Sequence, residues 1–471
     1  MLYNLFLVLR VLFYQFLEFI SFNNKLNYIE ELKKTIEKYN KINNNSVTRT
    51  TNDIGTLFRK NYKKSEGFSL DNLNGIIDID IKNKTINVGG KTRFYDILNY
   101  TLKYNLMPKI VPELSSITVG GAISGISIES SSFKYGWVHD TIVDMDVLTA
   151  DGDVLYCTRD NENKDLFNSI PNSYGTLGYV TRAKIQLIDA KKYVKLINHK
   201  FENITEAFDF IKIVVNNKDA DFIDAVAYSK FNIIVVMGFL CDNPYNDNIC
   251  CSCELSNYPK NGIYYESIKK LRYDAMTIYD YFWRWDADMF WGVTDVAILK
   301  NKWFRWCFGR CILNTRVLRA MQRFFQSCQV KNNGKKEKII QDLGVPSENV
   351  EGFYNWICNN INKYPIWICP VVPKKTNTSL WTFNENKLYF DIGVFVRKET
   401  NKEENYYNKL IEKKLLELNG NKCFYSDTFL SKKDFNVLIN PDKYQSIKNK
   451  YDPNNRFGDL YNKVIDQNVH I

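Results

Sequence analysis

The hydrophobic pattern changes character several times along the chain. Residues 1–22, MLYNLFLVLRVLFYQFLEFISF, are nearly all apolar. At 100° per residue their polar members, Asn4, Arg10, Gln15, Glu18 and Ser21, gather within an arc of about 140°. This predicts an apolar helix over residues 1–24 with a polar seam. A span needs about 20 apolar residues, but Arg10 and Glu18 make crossing costly and favour a helix lying in the headgroup layer. A helix packed on its own domain is the competing reading. Residues 26–41 then read as a charged amphipathic helix, followed by a linker rich in asparagine. GIIDIDIKNKTINVGG (75–90) alternates apolar and polar on both sides of Lys82-Asn83-Lys84 and predicts a hairpin. TRFYDILNYTLKYN (92–105) has helical spacing with Thr92 as a possible N-cap. TIVDMDVLTADGDVLYC (141–157) predicts a second hairpin turning at Asp151-Gly152. GTLGYVTRAKIQLI (175–188) reads as a strand after a glycine turn.

Short strands with interspersed helices predict an α+β domain. From residue 199 to about 420 the texture shifts to strands such as FNIIVVMGF and aromatic-rich helices, a second lobe. YDPNNRFGDLYNKV (451–464) closes as a loop and short helix, and there is no internal repeat.

A length of 471 residues predicts two or three domains. With 45% apolar and 25% charged residues the chain has enough for a real core. The net charge of +10 rests on short, scattered basic runs such as Lys33-Lys34, Lys335-Lys336 and Lys413-Lys414. Those runs lack the basic stripe of a nucleic-acid binder and suit a mild attraction to an anionic membrane face. Eleven cysteines include the cluster CCSC at 250–253. With three histidines (His139, His199, His470) and no second cysteine pair at ligand spacing, reduced thiols are expected rather than a metal site. They place the folded part in a reducing or cytosol-facing compartment.

One stretch obeys no simple period. VPELSSITVGGAISGISIESSSFKYG (111–136) packs four of the 22 glycines and seven serines into 26 positions. It is not the G-x-G-x-x-G of a Rossmann turn. Glycine lets successive main-chain amides converge, and serine adds donors without bulk, so the stretch suits a diphosphate; a serine-rich loop is the bland alternative.

Order along the chain decides between them. The run VPELSSITVGGAISG, then SSFKYGWVHDTIVDMDVLTADGDV, then NSYGTLGYVTRAKIQL resembles the FAD-binding domain of the vanillyl-alcohol-oxidase/p-cresol-methylhydroxylase (VAO/PCMH) superfamily. IIQDLGVP, YPIWICP, LYFDIG and YSDTFLSKKDF resemble its delta-24 sterol reductase branch, so the resemblance covers residue 25 to the end. It implies a PCMH-type FAD-binding domain of two α+β subdomains over 25–198 and an α/β substrate (cap) domain over 199–430. A C-terminal segment, 431–471, would return to the flavin domain, and the apolar helix 1–24 would lead the chain.

The resemblance further implies cofactor-binding residues Thr118, Val119, Gly120, Gly121, Ala122, Ile123, Ser124, Gly125, Ile126, Ser127, Ile128, Glu129 and Ser130, joined by Gly178 and Val180. No histidine lies between Thr118 and Gly136, so FAD is expected to be noncovalent. The implied reaction is reduction of an isolated C=C bond of a sterol-like lipid, with NADPH as donor. The implied setting is an intracellular membrane such as the endoplasmic reticulum, with the catalytic part facing the cytosol. An isolated alkene must be protonated as hydride arrives, so a general acid is required; Tyr425 and Asp427 are the expected pair. The sequence departs from the branch at YFWRWDADMFWG (281–292). Arg284 and Trp291 keep the pattern, whereas Trp283, Trp285, Asp288 and Gly292 replace two histidines, an arginine and a glutamate. The departure leaves two alternatives open: an oxidase of the same fold acting on an alcohol or lactone, or a degenerate flavin- or lipid-binding scaffold.

Overall fold

The computed structural model describes residues 25–42, 47–50, 67–245, 255–258, 260, 262–288, 291, 300–317, 320, 336–374 and 380–465. The expected apolar helix 1–24, the cysteine cluster 250–253 and Gly292 lie outside the described residues. Among the described residues no helix is long and apolar enough to cross a membrane.

The first lobe opens with the helix Tyr28–Asn40 and a parallel pair, β1 (Thr48–Thr50) and β2 (Gly67–Ser69). Its main sheet uses β3 (Ile76–Asp80), β4 (Thr85–Gly89), β5 (Leu106–Pro108), β6 (Ile142–Leu148), β7 (Val154–Thr158) and β8 (Tyr179–Asp189). The order is β3-β4-β8-β6-β7, with β5 on β8. Both expected hairpins form, and Gly152 supplies the positive φ of 93° between β6 and β7. The helix after β4 is Phe94–Thr101, capped by Arg93 rather than Thr92. The Thr92 hydroxyl is engaged elsewhere, accepting from Gly75 N and donating to Gly75 O.

Residues 190–192 lead straight from β8 into β9 (Tyr193–Phe201), the first strand of a second sheet. The expected boundary after residue 198 therefore falls inside β9, and the change of sheet comes a few residues earlier. The second sheet adds β10 (Phe222–Ser229), β11 (Asn232–Cys241), β12 (Tyr273–Thr277), β13 (Lys336–Pro346), β14 (Ile366–Val371), β15 (Tyr389–Glu399) and β16 (Asn421–Lys422). Its order is β12-β9-β11-β10-β14-β15-β13-β16, and every pairing is antiparallel. This lobe is α+β rather than the expected α/β. β10 and β11 are joined by two residues, Lys230-Phe231, too few for the crossover that parallel strands need.

Alternation gives the second sheet two distinct faces. Ile223, Ala225, Ile339, Leu343, Ile366, Ile368, Phe390 and Ile392 pack under the helices Ile204–Asn217, Val350–Asn360 and Tyr406–Glu417. Their strand neighbours Phe222, Val226, Trp367 and Cys369 join the core of the first lobe. Asp224, Asp342 and Asp391 have the same parity as those inward neighbours, so three carboxylates sit on the face between the lobes.

The helices Lys432–Leu438, Pro441–Tyr451 and Leu460–Val464 return to the first lobe. There Lys448 Nζ donates to Thr176 O at 2.8 Å, Tyr451 OH to Asp165 at 2.7 Å, and Arg456 to the carbonyls of Ala150 and Ile42. The second lobe is thus inserted between two parts of the first.

Candidate functional site

The serine-glycine stretch contains a short helix, Val119–Gly125, which the broken alternation hid. Thr118 caps it, its hydroxyl accepting from Gly121 N at 3.4 Å. The helix is sewn to the first sheet: Val119 N donates to Thr92 O at 2.9 Å and Gly120 N to Gly90 O at 2.8 Å. The approach is as close as glycine allows. A Cβ on Gly90 would lie 2.0 Å from Val180 O, and one on Gly120 would lie 3.0 Å from Gly90 O and 3.6 Å from Val180 Cβ. Gly178 tucks behind, where a Cβ would meet Val147 at 2.5 Å. The expected binding residues Gly120, Gly178 and Val180 are therefore brought together by packing. Gly121 differs: it is exposed, and a Cβ there would meet only Thr118 Oγ1 at 3.1 Å.

After Gly125 the chain leaves the helix through Ile126, at φ 65°, and runs without regular structure toward the second lobe. Among the described residues, the main-chain amides of Ser127, Ile128, Ser130 and Ser131 donate to no protein acceptor. Asn172, fully buried two residues before Tyr174, keeps both side-chain amide atoms without a partner. Tyr174 itself is bound to the stretch, its N donating to Ser124 O and its OH to Gly125 O. A row of unused donors beside a glycine-tight backbone suits an extended anionic cofactor such as FAD. The amides within the helix itself, Val119, Gly120 and Ala122, are already taken.

The far end of the stretch docks on the inward face of the second sheet. Ile223 N donates to Ser130 O at 2.8 Å, and Cys369 Sγ lies 3.3 Å from Glu129 O. Around this junction Glu129 Oε1 accepts from Glu113 N at 3.0 Å, and Ser130 Oγ meets Tyr281 OH at 3.0 Å. Arg284, fully buried, lies 2.7 Å from Glu113, 3.3 Å from Asp224 and 3.9 Å above the Tyr281 ring. Burial raises the carboxyls of Glu113, Glu129 and Asp224 above the ordinary range; Arg284 pulls all three back, while the Glu113 charge pushes Glu129 further.

A second group lies farther along the same face. Asp342 on β13 and Asp391 on β15 are diagonal neighbours, each paired across the ladder with a glycine, Gly393 and Gly344. Those glycines leave room: a Cβ on Gly393 would stand 3.1 Å from Asp342 Oδ1, and one on Gly344 2.6 Å from the Phe383 ring. Burial lifts Asp342 to about 6, opposed by a hydrogen bond from Tyr425 and by Lys422. Burial, reinforced by the Asp342 charge, lifts Asp391 well above the carboxylate range. Tyr425 is raised well above the usual phenol by burial and then by Asp342. Tyr425 packs with Ile128 on an apolar cluster of Ile126, Trp137, Val371, Trp381, Phe383, Tyr389 and Cys423. The stretch expected to bind the cofactor, an aromatic wall and a carboxyl pair thus meet in one place.

Of the expected acid–base residues, Tyr425 reaches this place and Asp427 does not. The Asp427 carbonyl accepts from Gln341 and Lys422, and the residue adds its charge to Glu412, in the buried Lys422–Glu412 pair at 2.6 Å. Residues 424–429 form no regular strand, so their spacing of two does not bring Tyr425 and Asp427 to one side. Sequence reasoning missed Asp342, Asp391 and Asp224. The signal was present, an aspartate inside each of the apolar runs IIQDLGVP, LYFDIG and FIDAVAYS.

The altered segment is packed rather than open. Trp283 lies against Tyr95 with ring centroids 5.2 Å apart, and Trp285, fully buried, meets Tyr264 at 4.8 Å. Asp286 accepts from Ser115 N and Oγ, both at 2.8 Å, tying the segment to the first lobe. Asp288 finds its cation in Arg305, at 2.9 Å. His139 is buried and stacked on Trp137, and burial lowers its pKa to about 3. Among the described residues no group of His, Cys, Asp and Glu is arranged to hold a metal.

Comparison with known proteins places this arrangement. Residues 29–158 match a family model described as "FAD binding domain". Over 417 residues the chain is 26% identical to the Delta(24)-sterol reductase of Homo sapiens, covering 86% of this chain and 78% of that protein. The chain is similar to the Delta(24)-sterol reductases over most of its length. The Delta(24)-sterol reductase of Arabidopsis thaliana is 25% identical over 436 residues, covering 85% of this chain and 77% of the relative. A cytokinin dehydrogenase of Oryza sativa subsp. japonica, "Cytokinin dehydrogenase 7", is 31% identical over 119 residues, 25% of this chain. The Delta(24)-sterol reductase likeness spans both lobes, whereas the cytokinin dehydrogenase match is confined to a quarter of the chain.

Proposed function

We propose that this chain is an FAD-dependent oxidoreductase that reduces an isolated C=C bond of a sterol-like lipid. The observation that carries the reading is the likeness to the Delta(24)-sterol reductases over both lobes, joined to the amides of Ser127, Ile128, Ser130 and Ser131, which donate to no acceptor among the described residues. Bound noncovalently, FAD would supply a two-electron store that accepts and delivers hydride. Thr118–Ser130 would hold it: the close packing of Gly90, Gly120 and Val180 fixes the backbone, and the amides of Ser127, Ile128, Ser130 and Ser131 would be its donors.

The protein's own contribution is the proton. An isolated alkene carries no oxygen to take up charge, so protonation must accompany hydride arrival. Tyr425, backed by Asp342 and Asp391, is the donor we infer. Two neighbouring carboxyls in an apolar site cannot both ionise easily, so one proton stays on the pair near neutral pH and replenishes the phenol. The Trp137, Trp381 and Phe383 wall excludes water and offers aromatic faces to developing positive charge.

NADPH is the proposed donor. That choice rests on the resemblance to the sterol reductases; the cleft of about 340 Å³ lined by Lys109, Lys134 and Lys374 also holds Asp140 and Glu385 and does not by itself select a phosphate. The apolar residues 1–24 support attachment to an intracellular membrane such as the endoplasmic reticulum. Anaerobic mixing of the pure protein with NADPH, then with a sterol unsaturated in its side chain, tests the reading. Bleaching of the flavin by NADPH and return of its colour with the sterol are expected. Rapid peroxide formation on admitting oxygen, with no response to the sterol, would replace it with the oxidase alternative. Bound sterol without turnover would favour a degenerate scaffold, the alternative prompted by the tryptophans at 283 and 285.

A further inference from the structure

The helix Lys302–Ile312 carries an apolar face that the fold leaves uncovered. Trp303 is 77% exposed, Trp306 65% and Phe308 44%, beside an exposed Cys307. Trp303, Trp306 and Cys307 stand at i, i+3 and i+4, one face of a helix. Arg305 points the other way, buried on Asp288 at 2.9 Å and on the Gly262 carbonyl at 3.0 Å. The Asn301 side chain caps the first turn, accepting from Phe304 N at 3.1 Å, and the Phe304 and Phe308 rings pack 4.8 Å apart. The helix is thus rooted by a buried ion pair while its tryptophans face outward. Large apolar side chains concentrated on one exposed face mark an interaction surface.

We propose that this helix docks the folded body on an anionic lipid surface, with Trp303 and Trp306 in the headgroup layer. Charge complementarity selects the occupant. The helix KWFRWCFGRCI contains no acidic residue, Lys300 and Lys302 flank the tryptophans in solvent, and the chain carries a net charge of +10. A second copy would bring like charge to this face, whereas anionic headgroups neutralise it. Tryptophan is the side chain that best suits a boundary between headgroup and acyl chain, and an apolar face rimmed by lysine is the pattern of an interfacial helix. The contact is separate from any made by residues 1–24 and does not depend on the proposed reaction.

The tryptophans make it directly measurable. Of nine in the chain, the other seven are buried or half-buried, and residues 1–24 contain none. Full-length protein is mixed with vesicles of phosphatidylcholine containing phosphatidylserine, part of the phosphatidylcholine being brominated. Bromolipid should quench tryptophan emission in the wild type and leave W303F/W306F almost unquenched although still bound. W303S/W306S should bind these vesicles roughly tenfold more weakly, and K300E/K302E should lose affinity for the anionic vesicles while changing little on phosphatidylcholine alone. An unquenched wild type at saturating lipid, or equal quenching in W303F/W306F, overturns the proposal. So does a lipid-free dimer that W303S/W306S converts to monomer, which would assign the face to a second copy.

Discussion

Replacing Asp342 by Asn tests the carboxyl pair at its centre. Folding holds this carboxyl at about 6 against 3.8 in an unperturbed chain. Ionising it in the folded state therefore costs up to about 3 kcal/mol more than in the unfolded state. Because Asp342 keeps some contact with the site's interior and Asp391 shares its proton, about 1–3 kcal/mol is expected. The sign follows from which state holds the proton more tightly. The folded state does, so the wild type loses stability as pH rises from 3.8 to about 6 and stays lower above that. Asn cannot ionise. D342N should be more stable than the wild type at pH 8 and gain nothing at pH 4, where the altered bond to Tyr425 costs a little. Urea midpoints at the two pH values read the difference. The same variant should reduce flavin with NADPH normally and return the electrons to the alkene slowly. An equal stability difference at both pH values would refute the buried-carboxyl argument, and equal loss of both half-reactions would remove Asp342 from proton supply.

Gly121→Asp should purify without its yellow absorbance, because the exposed position sets a carboxylate beside the cofactor's phosphates; retained flavin would contradict the assignment of this stretch. Arg284→Met leaves Glu113 and Asp224 without their buried cation and should cost about 3–5 kcal/mol. The deficit should be larger at pH 8 than at pH 5, since those carboxyls take up protons when the arginine is gone, and denaturation at the two pH values checks it. Asp427→Asn should leave both half-reactions within about twofold, because the residue lies by the Lys422–Glu412 pair rather than in the Asp342–Asp391 pair; a selective loss of alkene reduction would restore Asp427 as the acid.

Local signals carried much of the first lobe. Asp151-Gly152 and the alternation around Lys82–Lys84 announced their hairpins because turn chemistry and period act within a few residues. Glycines 120 and 178 announced a tight backbone, yet not that the tightness comes from Gly90 and Val180. The helix Val119–Gly125 was illegible because glycine and serine disfavour helix, and hydrogen bonds to Thr92 and Gly90 override that preference. Asp427 drew the acid's role, with Tyr425, from a segment that the resemblance returns from the second lobe to the flavin face. The partners of Tyr425 come instead from β13 and β15, and only the register of Asp342 against Gly393 brings them there. The tryptophans at 283 and 285, where the resemblance implies histidines, fill space against Tyr95 and Tyr264, a packing role that shows only in three dimensions.

The insertion of one lobe within the other has a consequence for synthesis. A chain emerging from the ribosome makes the first sheet early, but the clasp of Lys448 on Thr176 and of Arg456 on Ala150 arrives only with the final helices. Until then the first lobe lacks its closing face and the second must fold while tethered to an unfinished neighbour. Flavin uptake is therefore a late event in the life of the polypeptide, and a translation product stopped before residue 441 should emerge colourless however well its glycine-tight stretch is formed.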